Sequence, residues 1–237
     1  MRPHGILLAI LTLLPLGLLA QDRLRPITRQ ELWTSVAIQG RPAILAGVLG
    51  KETVKRLKTS AELGYRSSDS FFAGRQYYLD LGATYKISEK ISAGGEFRYA
   101  VRTGRTDRQR LGGMIQYKTQ WNRLELAYRF TYQHNFRLPG EVREVLRNKL
   151  IAAYDLPKWK LDPQFSAETF TWVGPSGLAY IGIRYKLGTE WNINKIHALG
   201  FGVVHDRERM VFAPEHRMIL AVDYSIKLRK AKDGSGT

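Results

Sequence analysis

Apolar and polar residues alternate with a period of two along most of this chain, from Lys55 almost to its end. Leu57, Thr59, Ala61, Leu63 and Tyr65 stand against Lys58, Ser60, Glu62, Gly64 and Arg66. Tyr77, Leu79, Leu81, Ala83, Tyr85 and Ile87 alternate with Gln76, Tyr78, Asp80, Gly82, Thr84 and Lys86, and Ile91 to Arg102 repeats the pattern after a tight turn at Ser88–Lys90. Two is the strand period, in which successive side chains point to opposite faces. The same template fits segments around 110–118, 123–133, 179–186 and 217–228, while 143–155, 160–171 and 195–206 alternate less cleanly. The predicted strands reach roughly 11 to 14 residues, well beyond the globular norm, and suit a tilted strand that crosses a bilayer with some overhang. Short turns near 88–90, 120–122 and 155–159 alternate with longer polar loops near 67–74, 135–142 and 206–214.

The expected fold is therefore all-β, an antiparallel up-and-down transmembrane β-barrel occupying 55–229. Ten strands from about 56 to 229 would start and end on the short-turn side, and a hairpin within 31–50 would raise the count to twelve. The segment 21–54 is expected to supply extra strand or to cover the barrel mouth. Residues 230–237 read as a disordered tail. A soluble lipocalin-like barrel or a sandwich has the same period, but with its apolar face turned inward. Strand length, and tyrosines near strand ends (Tyr85, Tyr99, Tyr117, Tyr132, Tyr154, Tyr185, Tyr224), favour the membrane alternative.

Composition adjusts this picture at three points. Met1–Ala20 carries Arg2, an apolar run from Ile6 to Leu14, and Leu18-Leu19-Ala20 before Gln21, the layout of a secretory signal peptide. No later stretch approaches the roughly 18 apolar residues of a spanning helix, so any membrane span must be made of strands. The absence of cysteine excludes disulfides, thiolate metal sites and a cysteine nucleophile. The formal charge of +16 is spread over alternating strands without a basic helix or block, which points to a basic lumen and lipid-facing loops, with no nucleic-acid partner.

Several short motifs carry a family resemblance. They are Glu31-Leu32-Trp33-Thr34, Gly64-Tyr65-Arg66, Gly95-Glu96-Phe97-Arg98-Tyr99, Ala167-Glu168-Thr169-Phe170 and Gly177-Leu178-Ala179-Tyr180. Together they resemble the DUF2490 family of Bacteroidetes-type proteins. The resemblance implies an outer-membrane β-barrel and assigns no reaction. Arg229-Lys230-Ala231-Lys232 departs from a barrel that ends on an aromatic residue.

Candidate chemistry is sparse. His197 and His205 are eight apart on one predicted strand, about 27 Å at strand rise, too far to share a metal. His205-Asp206 could orient an imidazole for base chemistry, yet no G-x-S-x-G or HExxH signature accompanies it. No catalytic residue, metal or cofactor is expected. The distinctive feature is a charged row on the predicted inner face: Glu62, Arg66, Asp80, Glu96, Arg98, Arg102, Glu125, Arg129, Glu168, Arg184 and Asp223. Charges taken out of bulk water must be paired or wet, so these residues should form a carboxylate–guanidinium network across the lumen. Such a network either fills a narrow barrel or lines a porin-like passage for a small anionic solute. The expected role is structural or passive solute and lipid handling in the cell outer membrane, with lipid, lipopolysaccharide and the barrel assembly machinery as partners. The alternatives are an outer-membrane hydrolase or acyltransferase acting on lipid or lipopolysaccharide, and a soluble periplasmic binding barrel.

Overall fold

The computed structural model describes residues 26–69, 71–136, 144–157, 159, 161–211 and 213–228. The expected signal peptide and the expected tail at 230–237 lie outside these residues. Within them the strands are β1 (Ile27–Gly40), β2 (Leu57–Ser67), β3 (Gly74–Lys86), β4 (Ile91–Arg102), β5 (Arg108–Trp121), β6 (Leu124–Phe136), β7 (Glu144–Tyr154), β8 (Leu161–Gly174), β9 (Gly177–Asn192), β10 (His197–Glu208) and β11 (Glu215–Lys227). Each pairs with its neighbours in the chain, and β1 closes the sheet by pairing with β11.

The count is eleven, where ten or twelve was expected, and the cause lies in 21–54. That segment contributes a single strand, β1, without a hairpin, so the barrel starts at Ile27 rather than at 55. An odd number of alternating strands cannot close antiparallel throughout, because the first and last then run the same way. Accordingly β1 and β11 pair in parallel, from Ile27 opposite Glu215 to Gln39 opposite Lys227. Every other neighbouring pair is antiparallel, beginning with β1 and β2.

After β1 the chain turns through a 3-10 segment (Ala43–Leu45) and two short helices, α1 (Ala46–Leu49) and α2 (Lys51–Arg56). Gly50 separates the helices at φ +81, a backbone angle that side-chain-bearing residues seldom adopt. This connection sits at the end that otherwise carries the tight turns, such as Asn122-Arg123 with Asn122 at φ +52. The opposite end carries the loops after β2, β4 and β10, though β8 and β9 are joined there by only Pro175-Ser176. The expected asymmetry of turns and loops is therefore partial.

The wall is inverted relative to a soluble barrel. Leu63, Ile115, Leu150 and Leu187 are each more than half exposed, on the outward face of four different strands. Tyr65, Tyr77, Tyr99 and Tyr132 lie toward the loop end of that face, with Tyr85, Trp121, Tyr154 and Trp191 toward the turn end. Facing the lumen, by contrast, the buried side chains include Glu31, Glu168 and Asp206. A small apolar cluster of Val204, Ile219 and Ala221, against Trp33, lines one side of the interior. No helix among the described residues is long and apolar enough to cross a membrane, a statement that concerns helices alone.

Two irregularities re-aim side chains. Arg66 pairs with Gln76 but Ser67 pairs with Gly74, so Arg75 is an extra residue on β3. Strict alternation would turn it outward; instead it reaches Glu31 and Glu215. A bulge kinks a strand and redirects what it carries, as here. On β9, Gly182 pairs with Phe170 and Tyr180 with Thr171, leaving Ile181 extra. The alternation expected through Ala179–Lys186 therefore breaks at that point.

Candidate functional site: an ion-paired lumen

Two ladders of charge form the core of the lumen. On one wall Glu168, Arg184, Asp206 and Arg217 stand opposite one another on β8, β9, β10 and β11. The signs alternate, and each side chain meets the next: Arg184 lies 3.8 Å from Glu168 and 2.7 Å from Asp206, and Arg217 lies 3.9 Å from Asp206. On the other wall Glu62, Asp80, Arg98 and Arg110 are in register on β2, β3, β4 and β5. Arg98 grips Asp80 with both forks, the geometry that makes guanidinium–carboxylate pairs strong and directional.

Further pairs join the ladders. Arg110 donates to Glu96 at 2.9 Å, and Arg147 donates to Glu168 from Nε at 3.0 Å and from a terminal nitrogen at 2.7 Å. Arg147 also lies 4.0 Å from Glu96 and donates to Gln133 at 3.1 Å. Beyond Arg217, Glu215 accepts from Arg29 at 2.9 Å and Arg75 at 3.3 Å, and Arg75 continues to Glu31 at 2.6 Å. Glu31 in turn accepts from the Trp33 indole at 2.8 Å.

Three rings fill the centre. The Arg66 guanidinium lies 4.0 Å from the Trp33 ring centroid and 5.1 Å from that of Tyr78. Arg98 stacks on Tyr78 at 4.0 Å, and Arg184 on Phe170 at 5.0 Å. Cations over aromatic faces are held without losing their charge. Missing side chains make the room. A Cβ at Gly64 would overlap the Tyr78 ring, and one at Gly112 would sit 3.0 Å from Glu96. Gly112 thus leaves room for the Glu96 side chain.

The eleven sequence-predicted residues all lie on inward positions, but they do not form one network. Asp80, Glu96, Arg98, Glu168 and Arg184 belong to the central ladders and their cross-links. Glu62 joins through the Tyr78 hydroxyl, which donates to it at 2.7 Å, and Arg66 joins through the rings. Arg129 donates to Gln116 rather than to a carboxylate, and Asp223 pairs separately with Lys186 at 3.1 Å and Ser35 at 3.0 Å. Glu125 pairs with Lys118 at the turn end, and Arg102 donates to the Thr106 carbonyl at the loop end. Sequence reasoning left out Glu31, Arg75, Arg110, Arg147, Asp206, Glu208, Glu215 and Arg217. Arg110 and Arg217 were legible as inward by alternation, whereas Arg75 was hidden by its bulge. Four of the resembling motifs prove central, through Glu31 and Trp33, Gly64 and Arg66, Glu96 and Arg98, and Glu168 and Phe170.

The His205-Asp206 pair does not assemble. Adjacent strand residues face opposite ways, so exposed His205 stacks toward Tyr185 while Asp206 is buried among the lumen arginines. His197 likewise meets Tyr224 on the outer face.

A recess opens at each mouth. The loop-end recess, about 310 Å³, is bounded by Glu31, Trp33, Arg66, Arg75 and Arg102 among others. The turn-end recess, about 670 Å³, is lined by residues that include Arg41, Lys55, Lys86, Lys90 and Lys227. The β1–β2 connection contributes Arg41, Lys55 and Arg56 to that lining. The two recesses share no lining residue, and of the ladder residues only Arg217 lines either of them, at the loop end.

Fold and lumen together define a closed β-barrel with an apolar exterior and an ion-paired interior. Residues 30–211 match the family model described as a protein of unknown function (DUF2490), and the chain belongs to that family. No curated protein matches this chain. Among solved structures, a bacterial polysaccharide outer membrane secretin is similar with a TM-score of 0.46 and 9% identity, over 69% of this chain and 62% of that one. The chain thus spans less than two thirds of that protein's length.

Proposed function

We propose that this barrel spans the bacterial outer membrane as a sealed structural element, and that its contact with solutes is confined to the two mouths. One observation carries the reading: large apolar side chains face outward while carboxylates and guanidiniums face inward. In water that arrangement would expose far more apolar surface than a monomer tolerates, and in lipid it is the stable one. The tyrosine and tryptophan residues near both ends of the outer face support it, since such rings favour the two bilayer interfaces. The sealed lumen is supported by the ladders and stacked rings, and by two recesses that share no lining residue.

Two measurements test the proposal. Unheated protein in detergent should migrate faster on a gel than boiled protein, and extraction from cells should require detergent. Release into buffer without detergent would refute the membrane reading. In planar bilayers the protein should pass no sustained current, whereas a steady conductance would refute the seal.

A further inference from the structure

The loop-end recess differs in kind from its counterpart. Its positive charge comes from arginines set into the wall, and the acids among them are already shared. Seven arginines and two glutamates line it. Glu31 is engaged by Arg75, and Glu215 is divided among Arg29, Arg75 and Arg217, the last at 3.4 Å. Three arginines, Arg66, Arg102 and Arg105, have no carboxylate within ion-pair distance among the described residues, and Asp206 faces Arg66 only from farther off. Arg66 has a buried Nε with no hydrogen-bond partner and is held in place by Trp33 and Tyr78. An excess of cations this close together repels itself unless something anionic enters. The bulge adds to the excess, because it turns Arg75 inward where regular alternation would have removed it.

We propose that this recess binds a phosphate-type dianion, either on a small soluble molecule or on a lipid headgroup. The inference rests on the sealed-barrel reading, in which the recess has a floor of Trp33 and Arg66 rather than an opening to the far side. Each planar arginine fork can donate to two phosphate oxygens at once. A dianion supplies more charge than the wall's shared carboxylates leave available. Arg66 is preorganised by stacking, so less side-chain freedom is lost on binding. The other recess lacks these features, since its charge is carried mainly by lysines around the turn-end rim.

The test uses full-length protein in micelles at low ionic strength, titrated calorimetrically with pyrophosphate. A parallel titration uses a bisphosphorylated disaccharide glycolipid, with its dephosphorylated form as control. One saturable site per chain is expected. Saturation by pyrophosphate identifies a soluble source of the phosphate, and saturation by the phosphorylated lipid alone identifies a headgroup. Arg102→Gln with Arg105→Gln, both at the outer edge and remote from the ladders, should weaken binding roughly ten-fold or more. Arg66→Gln should weaken it at least as much, with gel mobility confirming that the barrel still forms. Lys86→Gln with Lys90→Gln, at the opposite mouth, should leave it unchanged. Absence of saturable binding by both phosphorylated probes would overturn the proposal. So would equal weakening by the opposite-mouth variant, or binding of the dephosphorylated lipid as tightly as the phosphorylated one. Pyrophosphate binding in micelles does not depend on conductance, so failure of this site and failure of the seal can be told apart.

Discussion

Replacing Glu168 by Gln keeps the shape of the ladder on β8–β11 and removes its charge. Glu168 is 4% exposed, and it accepts two bonds from Arg147 while lying 3.8 Å from Arg184. Removing one partner of a buried pair costs about 3–5 kcal/mol, because the remaining charge stays desolvated. Here the neighbours are partly covered: Arg184 keeps Asp206 at 2.7 Å, and Arg147 keeps Gln133 at 3.1 Å. The lower end, about 3 kcal/mol, is therefore expected. Denaturant unfolding in micelles, followed by loss of the fast-migrating gel species, reads this as a lower midpoint at unchanged slope. Glu125→Gln serves as the comparison, since Glu125 is 37% exposed and its pair with Lys118 lies at the turn end. An exposed pair of that kind contributes less than about 1 kcal/mol. Combining Glu168→Gln with Arg147→Met removes the orphaned cation and should recover part of the loss, a coupling of about 1–3 kcal/mol. Equal effects of Glu168→Gln and Glu125→Gln, or strict additivity in the double variant, would refute the view that the ladder is a buried, coupled unit.

Other perturbations act on separate parts of the barrel. Gly64→Ala places a methyl group where the Tyr78 ring now lies, so Tyr78 must leave both Glu62 and the Arg98 stack. A loss of about 1–3 kcal/mol is expected, checked in the same unfolding assay, and in a Tyr78→Ala background Gly64→Ala should cost little more. Leu63→Arg and Ile115→Arg put a charge on the outer belt. In a bilayer each should cost about 2–4 kcal/mol near the midplane, against under about 0.5 kcal/mol on a water-exposed surface, and refolding into liposomes distinguishes the two. Arg75→Gln should loosen the β1–β3–β11 corner through Glu31 and Glu215, yet leave protection of the β8–β10 amides against hydrogen exchange unchanged.

A period of two along most of the chain was enough to establish strands, two unlike faces and the inward position of every residue in the predicted charged row. It also marked His205 and Asp206 as neighbours on a strand, which already implies opposite faces, although their chemistry suggested a pair. Those properties follow from the geometry of a single strand, so a single sequence carries them. Partnership does not. Glu168, Arg184, Asp206 and Arg217 meet because four strands place them at one height, and height depends on the register between strands rather than on alternation within them. For the same reason Arg129 finds Gln116 and Asp223 finds Lys186, outside the ladders to which alternation alone would assign them. Closure was likewise a property of the whole sheet: one further strand, β1, makes the count odd and forces the parallel seam with β11. The bulge at Arg75 reverses a face locally and then lets the alternation resume, leaving no mark that a periodicity could reveal. The sequence by itself determined which residues face inward; only the tertiary structure decided which of them meet.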